Sequence, residues 1–113
     1  MSLLAELKTI MDTQQIAAET GVFTTTPAPA TYVVFVPMED TFECADDQPD
    51  NEVQAVRVSL FTKSNYLSTA IAITRAIIAA GLTVSARRYI GHEDDTGYHH
   101  YVIEVEETYK WEE

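Results

Sequence analysis

The stretch from Glu52 to Glu107 constrains this chain most, because its hydrophobic period switches from two residues to a helical repeat and back. Val53–Thr62 alternates, with Gln54, Val56, Val58, Leu60 and Thr62 on one side and Val53, Ala55, Arg57, Ser59 and Phe61 on the other. Asn65–Ala80 follows as a predicted helix, with Ser64 as N-cap and Leu67, Ala70, Ile71, Thr74, Ile77 and Ile78 as its buried stripe. Gly81 stands where a left-handed C-terminal cap is expected. Leu82–Ile90 and Tyr98–Glu107 alternate again, joined by the acidic turn Gly91–Gly97. A sheet covered by a helix satisfies all four patterns, with Val56, Val58 and Leu60 facing the helix. Arg57 and Phe61 then share the other side of the sheet, where a partner subunit is a candidate cover.

The flanking segments add to this unit. Residues 2–17 read as an amphipathic helix through Leu3, Leu4, Leu7, Ile10 and Met11, capped by Ser2 and stopping near Gly21. Val22–Ala30 is a connector, since Pro27 and Pro29 favour extended backbone. Tyr32–Val36 reads as a short inner strand ended by Pro37, and Thr41–Ala45 as an additional strand. The predicted fold is one α+β domain over residues 1–113. It has a mixed or mainly antiparallel sheet of four to five strands and two helices packed on one face. The order is helix, strand, optional strand, strand, helix, strand, strand.

Charge narrows the partners. Asp and Glu outnumber Lys and Arg by 18 to 7, a formal charge of −11, which repels phosphate backbones and anionic membrane surfaces. Neither nucleic acid nor a membrane is an expected partner. Residues 39–52 hold Glu39, Asp40, Glu43, Asp46, Asp47, Asp50 and Glu52 without one Lys or Arg, and Asp46–Asn51 reads as turn. The spacing is not that of a calcium-binding EF-hand loop. This acidic loop is a solvated hairpin tip or a docking surface for a basic neighbour. Arg87 and Arg88 are the only adjacent basic pair and point to opposite faces of a strand. One is expected to pair with Glu104 or Glu106, the other to meet the acidic stretch of a neighbouring copy around Asp46 and Asp47. In the tail, residues 108–113, Tyr109 and Trp111 belong to a frayed end or form an aromatic anchor on a neighbour.

Signals for catalysis are weak. The sequence has no phosphate-cradling Gly-rich loop, CxxC, HExxH or GxSxG. His92, Asp94 and His100 are the one set that could hold a divalent ion across a turn. Adjacent strand residues such as His99 and His100 point apart, and neither a metal nor a cofactor is expected. Cys44, the single cysteine, cannot form an internal disulfide. The N-terminus lacks the pattern of a signal peptide and no apolar run approaches membrane-spanning length, so the chain is expected to work, or be assembled, inside a cell.

Three motifs carry a resemblance. VSLFTKSNY leads into the helix as strand-K-x-N-Y; RRY-x-x-x-E spans Arg87–Glu93; and YHH-Y-x-I-E-V spans Tyr98–Val105. Over Glu52–Glu107 the chain resembles small virion proteins of phages and prophages, those of the tail-terminator and tail-completion type in long-tailed phages. The resemblance implies a structural α+β subunit that closes into a ring, often of six, on the end of the tail tube nearest the capsid. Its partners would be further copies, the tail tube and head-completion proteins, and its place the virion tail or the host cytoplasm during assembly. It implies no catalytic residues. The alternatives are a small ligand-binding or regulatory α+β domain and, on the three residues above, a metal-dependent enzyme.

Overall fold

The structure, a computed structural model, describes residues 2–45 and 48–111. Its elements are α1 (Leu3–Thr13), β1 (Ala17–Thr20), β2 (Thr31–Ala45), β3 (Gln48–Thr62), α2 (Tyr66–Ala79), β4 (Thr83–His92) and β5 (His99–Lys110). One five-stranded sheet runs β1-β2-β3-β5-β4, with only β1 and β2 parallel. Both helices pack on one face, as the α+β reading predicts. Among the described residues no helix is long and apolar enough to cross a membrane.

Periodicity placed the β3 side of the core correctly. Val56, Val58 and Leu60 of β3 meet Leu3, Leu7 and Met11 of α1 and Ala70, Ile73 and Ile77 of α2, with Val33, Phe35, Ile103 and Val105 completing the layer. Enclosing each large aliphatic chain contributes about 1.5–3 kcal/mol, which is what holds two short helices on the sheet. Ser2 caps α1 by accepting from the Ala5 N–H, and the Leu3 N–H donates to Gln54 Oε1 at 2.8 Å, tying the helix start to β3.

Several boundaries differ from expectation. The first helix ends at Thr13, because Gln15 takes a left-handed conformation (φ 60°), and Ala17–Thr20 forms the parallel edge strand β1. That strand, not Thr41–Ala45, is the fifth one. Thr41–Ala45 instead continues β2, which runs through Pro37 with a register shift between Pro37 and Glu39. A proline fits there because β1 pairs only as far as Phe35, leaving Pro37 on a sheet margin beside a bulge. Of the predicted turn Asp46–Asn51, Gln48–Asn51 belongs instead to β3. β2 and β3, each 15 residues long, thus make a hairpin arm, and the molecule measures 53 × 26 × 24 Å.

Two further corrections concern α2 and the tail. Asn65, not Ser64, caps α2, accepting from the Ser68 N–H at 3.1 Å; Ser64 instead bonds the buried Thr62 hydroxyl. The helix is also turned from its predicted orientation. Ile73 is enclosed, whereas Leu67 and Ile78 are 50% and 58% exposed. Thr108–Lys110 is not frayed but the end of β5, paired with Asn51–Val53. Gly81 has φ +86° and terminates α2 as expected.

Candidate interaction surfaces

The sheet face away from the helices carries an aromatic ladder. Phe23, Tyr32, Phe61 and His100 follow one another across β2, β3 and β5 with ring centroids 4.3, 5.0 and 4.3 Å apart, and Tyr98 stands edge-on to Tyr32. The Tyr98 hydroxyl donates to the Pro29 carbonyl at 2.6 Å and closes the connector over the ladder. Enclosure lowers the pKa of His100, opposed by Glu93 and aided by Arg57. The Tyr32 phenol is pushed up by burial first, then by Tyr98 and Glu93.

Beside the ladder, Glu104 accepts from two guanidinium groups, Arg88 at 2.9 Å and Arg57 at 3.4 Å. The predicted partner of the basic pair is therefore found, and it recruits Arg57 as well. Phe61, Arg57 and Arg88, all interface candidates by sequence, are thus engaged within their own chain. Arg87 lies on the helix side and donates to Thr74 Oγ1 of α2 at 3.4 Å. Asp46 and Asp47 lie outside the described residues.

The aromatic tail residues each make contacts within their own chain. The Tyr109 hydroxyl donates to the Glu6 carboxylate of α1, and burial together with this bond raises its pKa. Trp111 donates its backbone N–H to the Asp50 carbonyl at 2.9 Å and meets the Phe42 ring edge-on.

The histidine set is not assembled. His92 faces His99 across β4 and β5 on the helix side, with ring centroids 4.7 Å apart, and its Nδ1 is 3.1 Å from Asp94. His100 projects from the opposite face onto Phe61. The strand alternation that separates His99 from His100 also keeps His92 and Asp94 away from His100. Among the described residues no three His, Cys, Asp or Glu side chains gather as a metal site. His99 instead joins Tyr66 and Tyr89, accepting or donating with the Tyr89 hydroxyl at 2.9 Å.

The chain matches no protein-family model and no curated protein sequence.

Two sheet margins hold most of the remaining exposed apolar surface. One is the arm, where Val36, Met38 and Phe42 of β2 are exposed among Glu39, Asp40 and Glu43. The other is the β4 shoulder, with exposed Tyr89 and Ile90 on β4 and exposed Leu67 and Ile78 on α2. Leu67, Ile71, Thr74 and Ile78 recur at i, i+4, i+7 and i+11, and the Thr74 contact with Arg87 shows that this stripe flanks β4. Exposed Arg87 lies on this flank, exposed Arg75 follows Thr74 on α2, and exposed Arg88 lies on the opposite face of β4, beside Glu104. Sequence reasoning missed the shoulder by assigning its residues to the core. The available signal was excess: α2 carries more apolar residues than one buried stripe needs.

The concavities are open grooves. One, about 530 Å³, runs between α1 and β1 over Leu4, Lys8, Ala18, Glu19 and Phe35. Glu19 is held below the usual carboxylate range by the Thr24 and Thr25 hydroxyls, which it uses to order the connector.

Proposed function

We propose that this protein is a structural virion subunit, a tail-terminator, tail-completion or head–tail joining protein, that assembles from identical copies into a ring on the tail tube. The observation that carries the reading is the segregation of surface chemistry. An acidic, partly apolar arm stands at one margin of the sheet, and a basic, partly apolar shoulder at the other. Complementary patches on different parts of one molecule make head-to-tail contacts, which close into rings when the rotation per subunit permits. The motif resemblance over Glu52–Glu107 supplies the tail as the setting.

The experiment is sedimentation velocity and negative-stain microscopy of the purified protein, alone and with a tail tube protein from the same genome. A concentration-dependent ring that binds tube ends is expected. A protein that stays monomeric in both conditions and does not retain tube or connector proteins overturns the reading.

A further inference from the structure

We infer that successive copies join by strand addition, the free stretch of β2 in one copy pairing antiparallel with β4 of the next. This rests on the ring-forming reading and names the surfaces it would use. β1 pairs with β2 only over Tyr32–Phe35, so among the described residues Val36–Ala45 has no strand on its outer side. β4, ten residues long, is the opposite edge of the same sheet. Each strand from β2 through β3 and β5 to β4 reverses direction, so β4 runs opposite to β2. A second copy in the same orientation therefore presents its β4 antiparallel to that stretch, and the sheet continues across the boundary.

The side chains agree with this pairing on both faces. On the helix side, Asp40 and Phe42 of the arm would meet Arg87 and Tyr89 of β4 and the exposed flank Leu67–Ile78 of α2. Asp40 belongs to this side because it pairs with Gln54, which bonds the start of α1. On the other side, Glu39 and Glu43 would meet Arg88. Charged residues on an edge strand ordinarily repel any incoming strand. Here each edge carries one sign: β2 against β2 and β4 against β4 are repelled, and β2 against β4 is the pairing left favourable. Through the ladder, β4 lies level with Thr31–Glu39 of β2, whereas the free stretch begins at Val36. Successive copies then step along the strand direction, the stagger by which a tilted sheet closes on itself.

The test combines amide hydrogen exchange with charge reversal on the full chain. Assembly should protect the amides of Val36–Ala45 and Thr83–His92 relative to dilute, monomeric protein. Asp40→Arg and Arg87→Glu should each weaken association roughly tenfold or more, and the two together should recover most of it, since each alone sets like charges against each other. Far-ultraviolet circular dichroism of each variant establishes that it remains folded. If the wild type assembles while these amides stay unprotected and the reversals are silent, strand addition is wrong and the ring reading stands. A wild type that never assembles removes both.

Discussion

The Tyr109 hydroxyl donates to the Glu6 carboxylate, joining the first helix to the last strand. Both groups are half-buried, and Tyr109 also lies against the hydrophobic core. Tyr109→Phe keeps the ring and deletes the donor, leaving Glu6 short of a partner. A loss of about 1 kcal/mol is expected in urea denaturation. Tyr109→Ala should cost clearly more, because the packing goes too.

Ile77 and Ile78 are neighbours on α2 with opposite roles. Ile77 is fully enclosed, so Ile77→Ala should destabilise the monomer by about 2–5 kcal/mol through lost transfer energy and a cavity. Ile78 is 58% exposed on the shoulder, so Ile78→Ala should leave monomer stability within about 0.5 kcal/mol and weaken self-association. Denaturation and sedimentation of the two variants separate these effects. Equal destabilisation by both would mean the helix is turned as the sequence pattern alone suggests.

Glu104 serves two guanidinium groups at once and is 18% exposed, while Arg57 and Arg88 are 35% and 50% exposed. Glu104→Gln removes the charge between two cations and should cost about 1–2 kcal/mol, less in high salt where their repulsion is screened. Replacing Arg88 by Gln in the same background should recover part of the loss. Denaturation midpoints at low and high ionic strength provide the check.

His100 binds a proton less readily when folded than its ordinary pKa of 6.5, chiefly because it is enclosed against Phe61. The sign follows from linkage: just below that value the unfolded chain binds more protons than the folded one. The stability associated with the neutral ring is fully present above pH 6.5 and is lost as pH falls towards the lower, folded value. Melting temperatures taken from about pH 7.5 down to about pH 5.5 should decline over the lower part of that range. His100→Phe should flatten the decline while keeping the ladder stacked.

The aromatic ladder and the helix-facing cluster around Tyr66 divide the histidines between two faces, which is why proximity in sequence misleads at His92, Asp94 and His100. Spacing told correctly that His99 and His100 diverge. What it left open was which neighbours each would meet, since that depends on the register of β4 against β5 and on bulges at Val84/Ala86 and Tyr89/Gly91. Arg88 and Glu104 were legible as a pair because a hairpin brings the two strands together. Arg57 joining them was not, because β3 reaches β5 only through the strand order of the whole sheet.

Alternation and helical repeat, properties of local backbone geometry, were enough to determine the α+β class, the inward side of β3, the existence of both helices and the left-handed stop at Gly81. Tertiary structure alone decided the rest. It drew Ala17–Thr20 into the sheet by offering a parallel partner and carried β2 past Pro37 because that margin asks for no further partner. It also chose which side of α2 would be enclosed. A helix apolar over more than one side has no internal preference among them; the sheet beneath it selects one and leaves the other at the surface.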